Sequence, residues 1–517
     1  TDRLGRRTTI SYDNINRPIT VNYADATANY GYDSAGRLMS ASDASGAITW
    51  QYDNANRVTA EVTNLGTVSY GYNNANQRTT MTAADRPPVT YGYDSAGRLQ
   101  TISQTTGGVT ELFTYGYDAL SRRTQLQRQA NGAGIVTTDY EYDEISRLKR
   151  LKHTRVSTGT LHEDFQYEYN LDDEITKISS LASAPLTPQS KTATMADAAN
   201  RIGQFGAASY SFNQEGQTTS KTDASGTTNY QWDVRGRLKQ VTLPNGAVVN
   251  YGYDVFNRRI SRSANSVTTT FQHDVDDVVI DRGSDGSSID YLNGPDVDDK
   301  LRQASGIYGT LYFLADRLGS VAVLANASGI LNEQFQYEAF GSNPGSIRTR
   351  YTYTGRERDD VSGLVFYRAR WYDTQQGRFI SEDPIGFWGG WNFYAYVGNN
   401  PLSRKDPTGL LNPGFCALGG FAGGALLGAG IGGFIGGGVG ALGFAGGPLG
   451  VYTTVTFAVG GAKIGAVIGG FGGGIAAGLY CRSKSKEKCE PKAEPKAVPR
   501  PREEEGEGKW TCLVRCN

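Results

Sequence analysis

The sequence predicts a mainly β protein in which repeated β-hairpins fill most of the chain and a glycine-rich helical hairpin follows. A Tyr-Asp dipeptide, with Asn in place of Asp at position 73, recurs every 20 or 21 residues early in the chain. The composition favours strands and turns, with 31 Tyr and 66 Gly but 3 Met among 517 residues. After about residue 410 the repeats give way to apolar, glycine-rich sequence. These three observations lead to the predicted fold class.

The repeat is clearest in two nearly identical segments, residues 30–38 and 91–99. Two tyrosines lie two positions apart in each unit, so both rings are expected on one face of a strand. The Asp-x-x-Gly or Asp-x-x-Asn that follows predicts a turn, because its last residue tolerates positive φ. Each unit therefore predicts a hairpin, and the fixed period predicts hairpins paired edge to edge. On periodicity alone, a β-solenoid or a propeller is also open.

These units resemble the YD repeats of the Rhs/YD-repeat family, which also includes the C component of Tc toxins and the teneurins. The resemblance covers about residues 1–410. It implies a long strip of β-hairpins that spirals into a hollow shell. Because the chain starts inside a repeat, we expect a C-terminal fragment of a longer protein. We place YD repeats at 1–270 and irregular repeats leading into a core at 271–340.

The stretch 271–340 is acidic. Calcium binds through several carboxylate oxygens, but the spacing of these aspartates fits no known calcium loop. We therefore expect solvated turns there. The three histidines are scattered and form no ligand set. The five cysteines all follow residue 410; their odd number, with no histidine nearby, argues against zinc, and their clustering suggests disulfides in an oxidising destination. The sequence thus predicts no cofactor and no metal site.

Residues 341–410 are dense in aromatic and charged side chains and are similar to the Rhs-associated core domain. Two Asp-Pro dipeptides lie here, at Asp383 and Asp406, and the second begins the sequence Asp-Pro-Thr-Gly-Leu. If the fold brings both carboxyls together, one can activate a water while the other, protonated, polarises a carbonyl. The local sequence alone favours an ordinary turn, because Asp-Pro-x-Gly suits one.

The resemblance implies self-cleavage directly after the Leu of this motif. It assigns Asp383 and Asp406 as the catalytic pair, Arg370 as a supporting charge, and the bond between Leu410 and Leu411 as the one that is cut. The chain would then be an intramolecular aspartic autoprotease that acts once and has no external substrate. Arg370 could equally form a structural ion pair with Asp383 or its neighbour Glu382.

Residues 411–480 are predicted to form a hydrophobic hairpin of two glycine-zipper helices joined near Pro448. Glycines recur at every fourth position, which places small residues on one helix face. Each run is long enough to cross a bilayer, which needs ~20 residues. We expect this hairpin to enter a target membrane, with an apolar linker inside the shell as the alternative. Residues 481–517 are expected to be a charged, proline-rich tail and the start of a truncated toxin domain.

Together these features predict an Rhs-type polymorphic toxin for interbacterial competition, whose shell encloses its own C-terminal segment and releases it after Leu410. The chain is expected to be secreted or at the cell surface, exported by a contact-dependent or type VI route. Expected partners are that C-terminal segment, a cognate immunity protein, the secretion machinery and a target membrane. The net charge of −1 argues against nucleic acid. Two alternatives stay open: a wall-associated YD-repeat adhesion or structural protein, and a carrier of a truncated enzymatic toxin that uses the hairpin as a transit device.

Overall fold

The computed structural model describes residues 1–181, 191–195, 197–346 and 348–410 with their side chains, and residues 455–459 and 462–466 as backbone. All of them belong to one compact unit, Thr1–Gly469. Within these residues, antiparallel strands form two large sheets, a third sheet of four strands and one isolated hairpin. The predicted mainly β fold class is confirmed.

The first sheet has sixteen strands among the described residues, and each strand pairs with the next one in sequence. Its strands are β1 (Thr9–Tyr12), β2 (Pro18–Asn22), β3 (Thr27–Tyr32), β4 (Leu38–Asp43), β5 (Gly46–Tyr52), β6 (Val58–Thr63), β7 (Gly66–Tyr72), β8 (Arg78–Ala83), β9 (Val89–Tyr93), β10 (Leu99–Thr106), β11 (Val109–Tyr117), β12 (Arg123–Ala130), β13 (Ala133–Tyr142), β14 (Leu148–Arg155), β15 (Leu161–Tyr169) and β16 (Ile175–Ser179).

The second sheet has fifteen strands in the described part of the chain, again in sequence order. Its strands are β17 (Ala193–Met195), β18 (Ile202–Phe205), β19 (Ala208–Phe212), β20 (Thr218–Asp223), β21 (Gly226–Trp232), β22 (Leu238–Thr242), β23 (Val248–Tyr253), β24 (Arg259–Ala264), β25 (Val267–Asp274), β26 (Asp277–Gly283), β27 (Ser288–Asn293), β28 (Lys300–Ser305), β29 (Gly309–Ala315), β30 (Val321–Asn326) and β31 (Leu331–Gln334). Regular pairing therefore continues through most of the stretch expected to be irregular.

The third sheet follows and has four short strands, β32 (Glu357–Arg358), β33 (Val365–Tyr367), β34 (Arg370–Asp373) and β35 (Arg378–Phe379). Short 3₁₀ turns flank them at Tyr353–Gly355, Gly386–Gly389 and Val397–Asn399.

The glycine-rich region contributes one described element. The strands β36 (Val455–Val459) and β37 (Ala462–Ala466) form an antiparallel hairpin. They lie after Pro448, in the part of residues 411–480 where the sequence predicts the second helix. The rest of the predicted helical hairpin lies outside the described residues. Among the residues that are described, none of the helices has the length and apolar character needed to cross a membrane.

Each repeat is closed by its Asp and joined to the next repeat by its Arg. Asp33 accepts from the backbone N–H of Arg37 at 2.9 Å and from its Nε at 2.6 Å. The Arg37 guanidinium lies over the next repeat's Tyr52 ring, 4.7 Å from the centroid, and donates to the Asp53 carbonyl. Charge-assisted hydrogen bonds and cation–π contacts thus stabilise neighbouring hairpins together. The same arrangement occurs at Arg17, Arg57, Arg98, Arg147 and Arg237. Arg122 also lies over the next repeat's tyrosine ring but donates to the Ser146 hydroxyl in place of a backbone carbonyl.

The turns have the conformation that the repeat sequence predicts. The fourth residue of the turn has positive φ, 84° at Gly36 and 63° at Asn56. Glycine and asparagine tolerate this conformation better than other residues do. The bridging role of the arginine was not predicted from the sequence.

The two large sheets share one apolar core. Phe113 of β11 packs against Tyr312 of β29, with ring centroids 6.1 Å apart, and both are buried. Charged pairs also cross between the sheets: Arg302 lies 2.7 Å from Glu111, and Arg78 lies 2.7 Å from Asp274. Apolar burial provides the driving force for this packing. Pairing of the charges avoids the large cost of burying an ion alone.

The acidic residues of the stretch 271–340 were expected in solvated turns, and this expectation was wrong for several of them. Asp281, Asp290 and Asp298 are buried. Their arginine partners, Arg350, Arg302 and Arg356, lie 69, 12 and 58 residues away in sequence. Because two of these partners are so distant, the local sequence gives no sign that the carboxylates are paired.

The Asp53 and Arg57 pair provides a test of the charged pairing that closes each repeat. The natural repeat at Asn73 and Gln77 has an uncharged pair in the same places, joined by a 2.7 Å hydrogen bond. We expect Asp53→Asn and Arg57→Gln each to lower the free energy of unfolding by about 1 kcal/mol. The double variant should lose less free energy of unfolding than the two single variants lose together, because the two new amides can pair as they do in the natural repeat. Thermal unfolding of the four proteins measures this coupling, and strictly additive losses would contradict a stabilising pair between Asp53 and Arg57.

Asp299 provides a pH test of the burial of acidic residues in the stretch 271–340. Its Oδ2 is buried, and within the described residues it has no hydrogen-bond partner. Burial raises the pKa of Asp299 from 3.8 to about 6, while Arg123 opposes the shift and Asp296 adds to it. The folded chain therefore binds this proton more tightly, and this contribution to stability is lost as the pH rises through about 6.

We therefore expect Asp299→Asn to increase the free energy of unfolding at pH 8 by up to about 3 kcal/mol, since one pKa unit corresponds to ~1.4 kcal/mol. At pH 4 the variant and the parent should be nearly equally stable. Chemical unfolding at both pH values measures the difference. Asp172→Asn, in an exposed turn, is the control. An Asp299→Asn variant no more stable than its parent at pH 8 would refute this prediction.

Candidate active site

The structure brings the three predicted site residues together. Arg370 Nη2 lies 3.0 Å from Oδ2 of Asp383 and 3.5 Å from Oδ2 of Asp406. All three are buried, and Asp406 is 0% exposed. One guanidinium nitrogen therefore joins two carboxylates from separate Asp-Pro turns. The alternative pairing with Glu382 does not occur, because that side chain binds Arg3 at 2.7 Å.

Both Asp-Pro sequences form turns, as the local sequence favours. Asp383 Oδ1 accepts from the backbone N–H of Ile385 at 3.0 Å. Asp406 Oδ1 accepts from the Leu410 N–H at 3.1 Å and from the Thr408 hydroxyl at 3.2 Å. In each turn, Oδ1 of the aspartate accepts hydrogen bonds from the turn itself, and Oδ2 faces Arg370. The turns thus orient both carboxylates toward the guanidinium.

The surroundings of the site change its ionisation. Burial raises the pKa of Asp383, with Arg370 opposing the shift and Asp406 adding to it. Burial also lowers the pKa of Arg370, against the attraction of both carboxylates. The guanidinium lies 3.6 Å from the centroid of the Phe379 ring, a cation–π contact. Asp383 is therefore better able to hold a proton than an ordinary aspartate.

The residues around Asp406 are held against the turn that joins β33 and β34. We call residues 406–410 the motif segment and residues 367–370 the receiving turn. The Ala369 N–H donates to the Thr408 carbonyl at 3.1 Å. On either side of this bond, the Arg368 side chain donates to the Pro407 carbonyl, and Arg370 Nε donates to the Gly409 carbonyl. Three consecutive carbonyls are thus bound by three consecutive residues of the receiving turn.

Gly409 is required at this contact for two reasons. Its φ is 71°, in the left-handed region that favours glycine. A Cβ atom there would lie 2.3 Å from the Tyr367 carbonyl oxygen and 3.1 Å from the Arg370 nitrogen. The glycine of the predicted motif therefore allows the close approach of the two backbones.

Asp383, Asp406 and Arg370 were predicted from the sequence, whereas Arg368 was given no role. The signal available was the Arg-Ala-Arg sequence between two apolar strands, which places both arginines at one turn. Leu410 is described and contacts Asp406 through its N–H. Leu411, the other side of the predicted cleavage site, lies outside the described residues. The catalytic role of the three side chains stays a prediction.

The repeats and this core define a protein of the YD-repeat shell class. Residues 2–115 and 110–401 match the family model of the teneurin YD-shell. The chain belongs to the teneurin YD-shell family, and the predicted membership of the Rhs/YD-repeat family is confirmed.

Two curated relatives and one solved structure show the range of this similarity. The tRNA3(Ser)-specific nuclease WapA of Bacillus spizizenii is 28% identical over 252 residues, covering 43% of this chain and 10% of the relative. The probable deoxyribonuclease RhsB of Dickeya dadantii is 31% identical over 203 residues, covering 37% of this chain and 14% of the relative. The chain thus spans a small part of these curated relatives.

The crystal structure of TcdB2-TccC3-Cdc42 matches with a TM-score of 0.57 at 17% identity. The match covers 81% of this chain and 28% of that one. This likeness shows a common fold over most of the chain.

The close contact at Gly409 leads to a prediction. We expect Gly409→Ala to move the motif segment off the receiving turn, because the new Cβ would overlap the Tyr367 carbonyl. Hydrogen exchange at the Ala369 amide, which donates to Thr408, should become faster by at least about tenfold, corresponding to ~1.4 kcal/mol.

Gly107→Ala is the matched control. Gly107 also has positive φ, 57°, but nothing lies within 4 Å of the place that a Cβ would occupy. It therefore has the same backbone strain without the overlap. An unchanged exchange rate at the Ala369 amide in Gly409→Ala would contradict this prediction, because it would show that the close packing at Gly409 does not stabilise the motif segment on the receiving turn.

Proposed function

We propose that this chain is part of an Rhs-type toxin shell that cuts its own backbone between Leu410 and Leu411 and so releases the segment that follows. The observation that carries the proposal is the contact of Arg370 with both Asp383 and Asp406, beside the motif segment. Membership of the YD-shell family supports the assignment as a toxin-related shell. Bond cleavage is the chemistry that two buried carboxyls beside a held peptide can perform.

In the proposed reaction, Asp406 acts as the general base. Its carboxylate already accepts a hydrogen bond from the N–H of Leu410, the residue whose carbonyl is attacked. It takes a proton from a water, and the water oxygen bonds to the Leu410 carbonyl carbon. Asp383, whose pKa is raised, gives its proton to the Leu411 nitrogen as the carbon–nitrogen bond breaks. The products are a new carboxyl group on Leu410 and a new amino group on Leu411.

Arg370 has two functions in this proposal. Its positive charge lets two carboxyls lie close together in a buried site, where like charges alone would repel. Its Nε also binds the Gly409 carbonyl, one residue before the bond that is cut. A cation fixed one residue before the bond that is cut can offset the negative charge that develops as water adds to the peptide. Arg370 therefore helps both to hold the peptide and to stabilise the transition state.

The segment released by this cut is proposed to act at a membrane. Its sequence has no charged residue from Phe415 through Ala462, and its glycines recur at every fourth position. In this view the chain is secreted and has a cognate immunity protein, an export machinery and a target membrane as partners.

A second candidate is a carrier of an enzymatic toxin, with the glycine-rich segment as a transit device. The names of the two curated relatives, both nucleases, favour it. Leakage of lipid vesicles on addition of the self-cleaved chain separates these candidates, because a transit device need not form a pore by itself. A wall-associated adhesion protein, in contrast, would not require self-cleavage.

The Asp406→Asn variant tests the cleavage. The parent chain, of 55.8 kDa, should separate on a denaturing gel into a large fragment and a small one, and the small one should begin at Leu411. Asp406→Asn and Asp383→Asn should stay intact, because loss of a general acid or base slows a reaction by about 10²- to 10⁴-fold.

Asp373→Asn is the control, because Asp373 is an equally buried aspartate of β34 that bonds the Gln375 N–H. This variant should be cut as the parent is. Cleavage that persists in Asp406→Asn, or a small fragment that begins elsewhere, would contradict the proposed roles.

A further inference from the structure

We propose that Asp298, on the loop between β27 and β28 of the second sheet, is a positioning residue for self-cleavage. It acts through Arg368 on the carbonyl of Pro407. This inference rests on the proposed function, and it adds a requirement to it: the loop of the second sheet must be in place before the motif segment is held for cutting.

Asp298 holds Arg368 through a two-point contact. Arg368 Nη2 donates to Asp298 Oδ1 at 2.8 Å, and Nη1 donates to Oδ2 at 3.1 Å. Such paired bonds fix the plane of the guanidinium as well as its position. Asp298 is 6% exposed. Burial opposes its ionisation, but Arg356 and Arg368 outweigh this effect and lower the pKa of Asp298. The carboxylate is therefore charged at neutral pH and available to hold Arg368.

Arg368 in turn holds the motif segment. Its Nη1, the atom that contacts Asp298 Oδ2, also donates to the Pro407 carbonyl. Proline has no backbone N–H, so its carbonyl is the one backbone group through which Pro407 can be bound. Arg368 has a φ of 51°, which is uncommon for a residue with a side chain. The position of one guanidinium nitrogen thus links the loop of the second sheet to the residue after Asp406.

This contact differs from the other two that hold the motif segment. The Ala369 bond to Thr408 uses backbone alone, and the Arg370 bond to Gly409 uses a side chain anchored on the proposed catalytic carboxylates. The Arg368 contact is anchored on the second sheet. Close packing fixes that anchor further, because a Cβ on Gly355 would lie 2.6 Å from the Asp298 carbonyl oxygen. Cutting therefore depends on a part of the shell wall as well as on the core.

The test measures the rate of self-cleavage in the full chain, made by cell-free translation and followed over time on a denaturing gel. Asp298→Asn keeps the size of the side chain but removes its charge. We expect it to slow cleavage by about 10- to 100-fold, because small misplacement of a reacting group has an effect of that size. Arg368→Met should be slowed as much. Arg368→Lys, which keeps a cation near both Asp298 and Pro407, should be cut at an intermediate rate.

The control is Asp281→Asn. Asp281 is equally buried in the second sheet and binds Arg350 and Tyr291, with no hydrogen bond or ion pair to the motif segment among the described residues. Thermal unfolding of both variants shows whether they lose similar stability. Slow cleavage in Asp298→Asn with near-normal cleavage in Asp281→Asn would support a positioning role. Equal rates in the two variants would overturn it.

Three further outcomes keep the inference separate from folding and from the proposed function. If Asp298→Asn does not unfold cooperatively, the cleavage rates of the two Arg368 variants test the inference instead. Equal cleavage rates for Arg368→Lys and Arg368→Met would then overturn it. If Asp406→Asn is cut like the parent, the proposed function fails and the inference fails with it. If Asp406→Asn stays intact while Asp298→Asn is cut at the parent's rate, only the inference fails.

Discussion

The core of this chain depends on one buried guanidinium that lies between two carboxylates. Arg370 contacts Asp383 and Asp406, and all three residues are buried. Burying a single ion costs several kcal/mol, so the three groups are stable there only as a set. The third sheet and its turns are what hold that set in place, and they also hold the motif segment against it. The same geometry that makes the cluster stable therefore puts a peptide next to two carboxyls.

Arginine has a similar structural role at every level of the molecule. It bridges one hairpin to the next in the repeats, as Arg37 does with Tyr52, and it crosses between the two large sheets, as Arg302 does with Glu111. In the core, Arg368 and Arg370 bind the carbonyls of the motif segment. The planar guanidinium can bond a carboxylate along one edge and a ring or a carbonyl with the rest of its surface. A chain of short hairpins can thereby be joined without long apolar side chains at every contact.

Most of the regular structure could be predicted from the sequence, because the hairpins are set by contacts within about 20 residues. Asp383 and Asp406 could also be selected, because Asp-Pro is a distinctive local signal, and the family resemblance added Arg370. Arg368 and Asp298 were given no role, and buried aspartates such as Asp281 and Asp298 were misplaced in solvated turns, because their arginine partners lie 58 to 70 residues away in sequence. Pairing over such a distance is fixed by the packing of sheets, which the local pattern does not encode. The predicted glycine-zipper helices lie mostly outside the described residues.

The most direct test of the central claim is to let the chain form in water enriched in oxygen-18 and to measure the masses of its fragments. Hydrolysis by the Asp383, Arg370 and Asp406 cluster predicts a large fragment that ends at Leu410 and carries one oxygen-18 atom in its new carboxyl group. A chain that stays intact, a fragment that ends at another residue, or a Leu410 carboxyl group without the label would contradict the account.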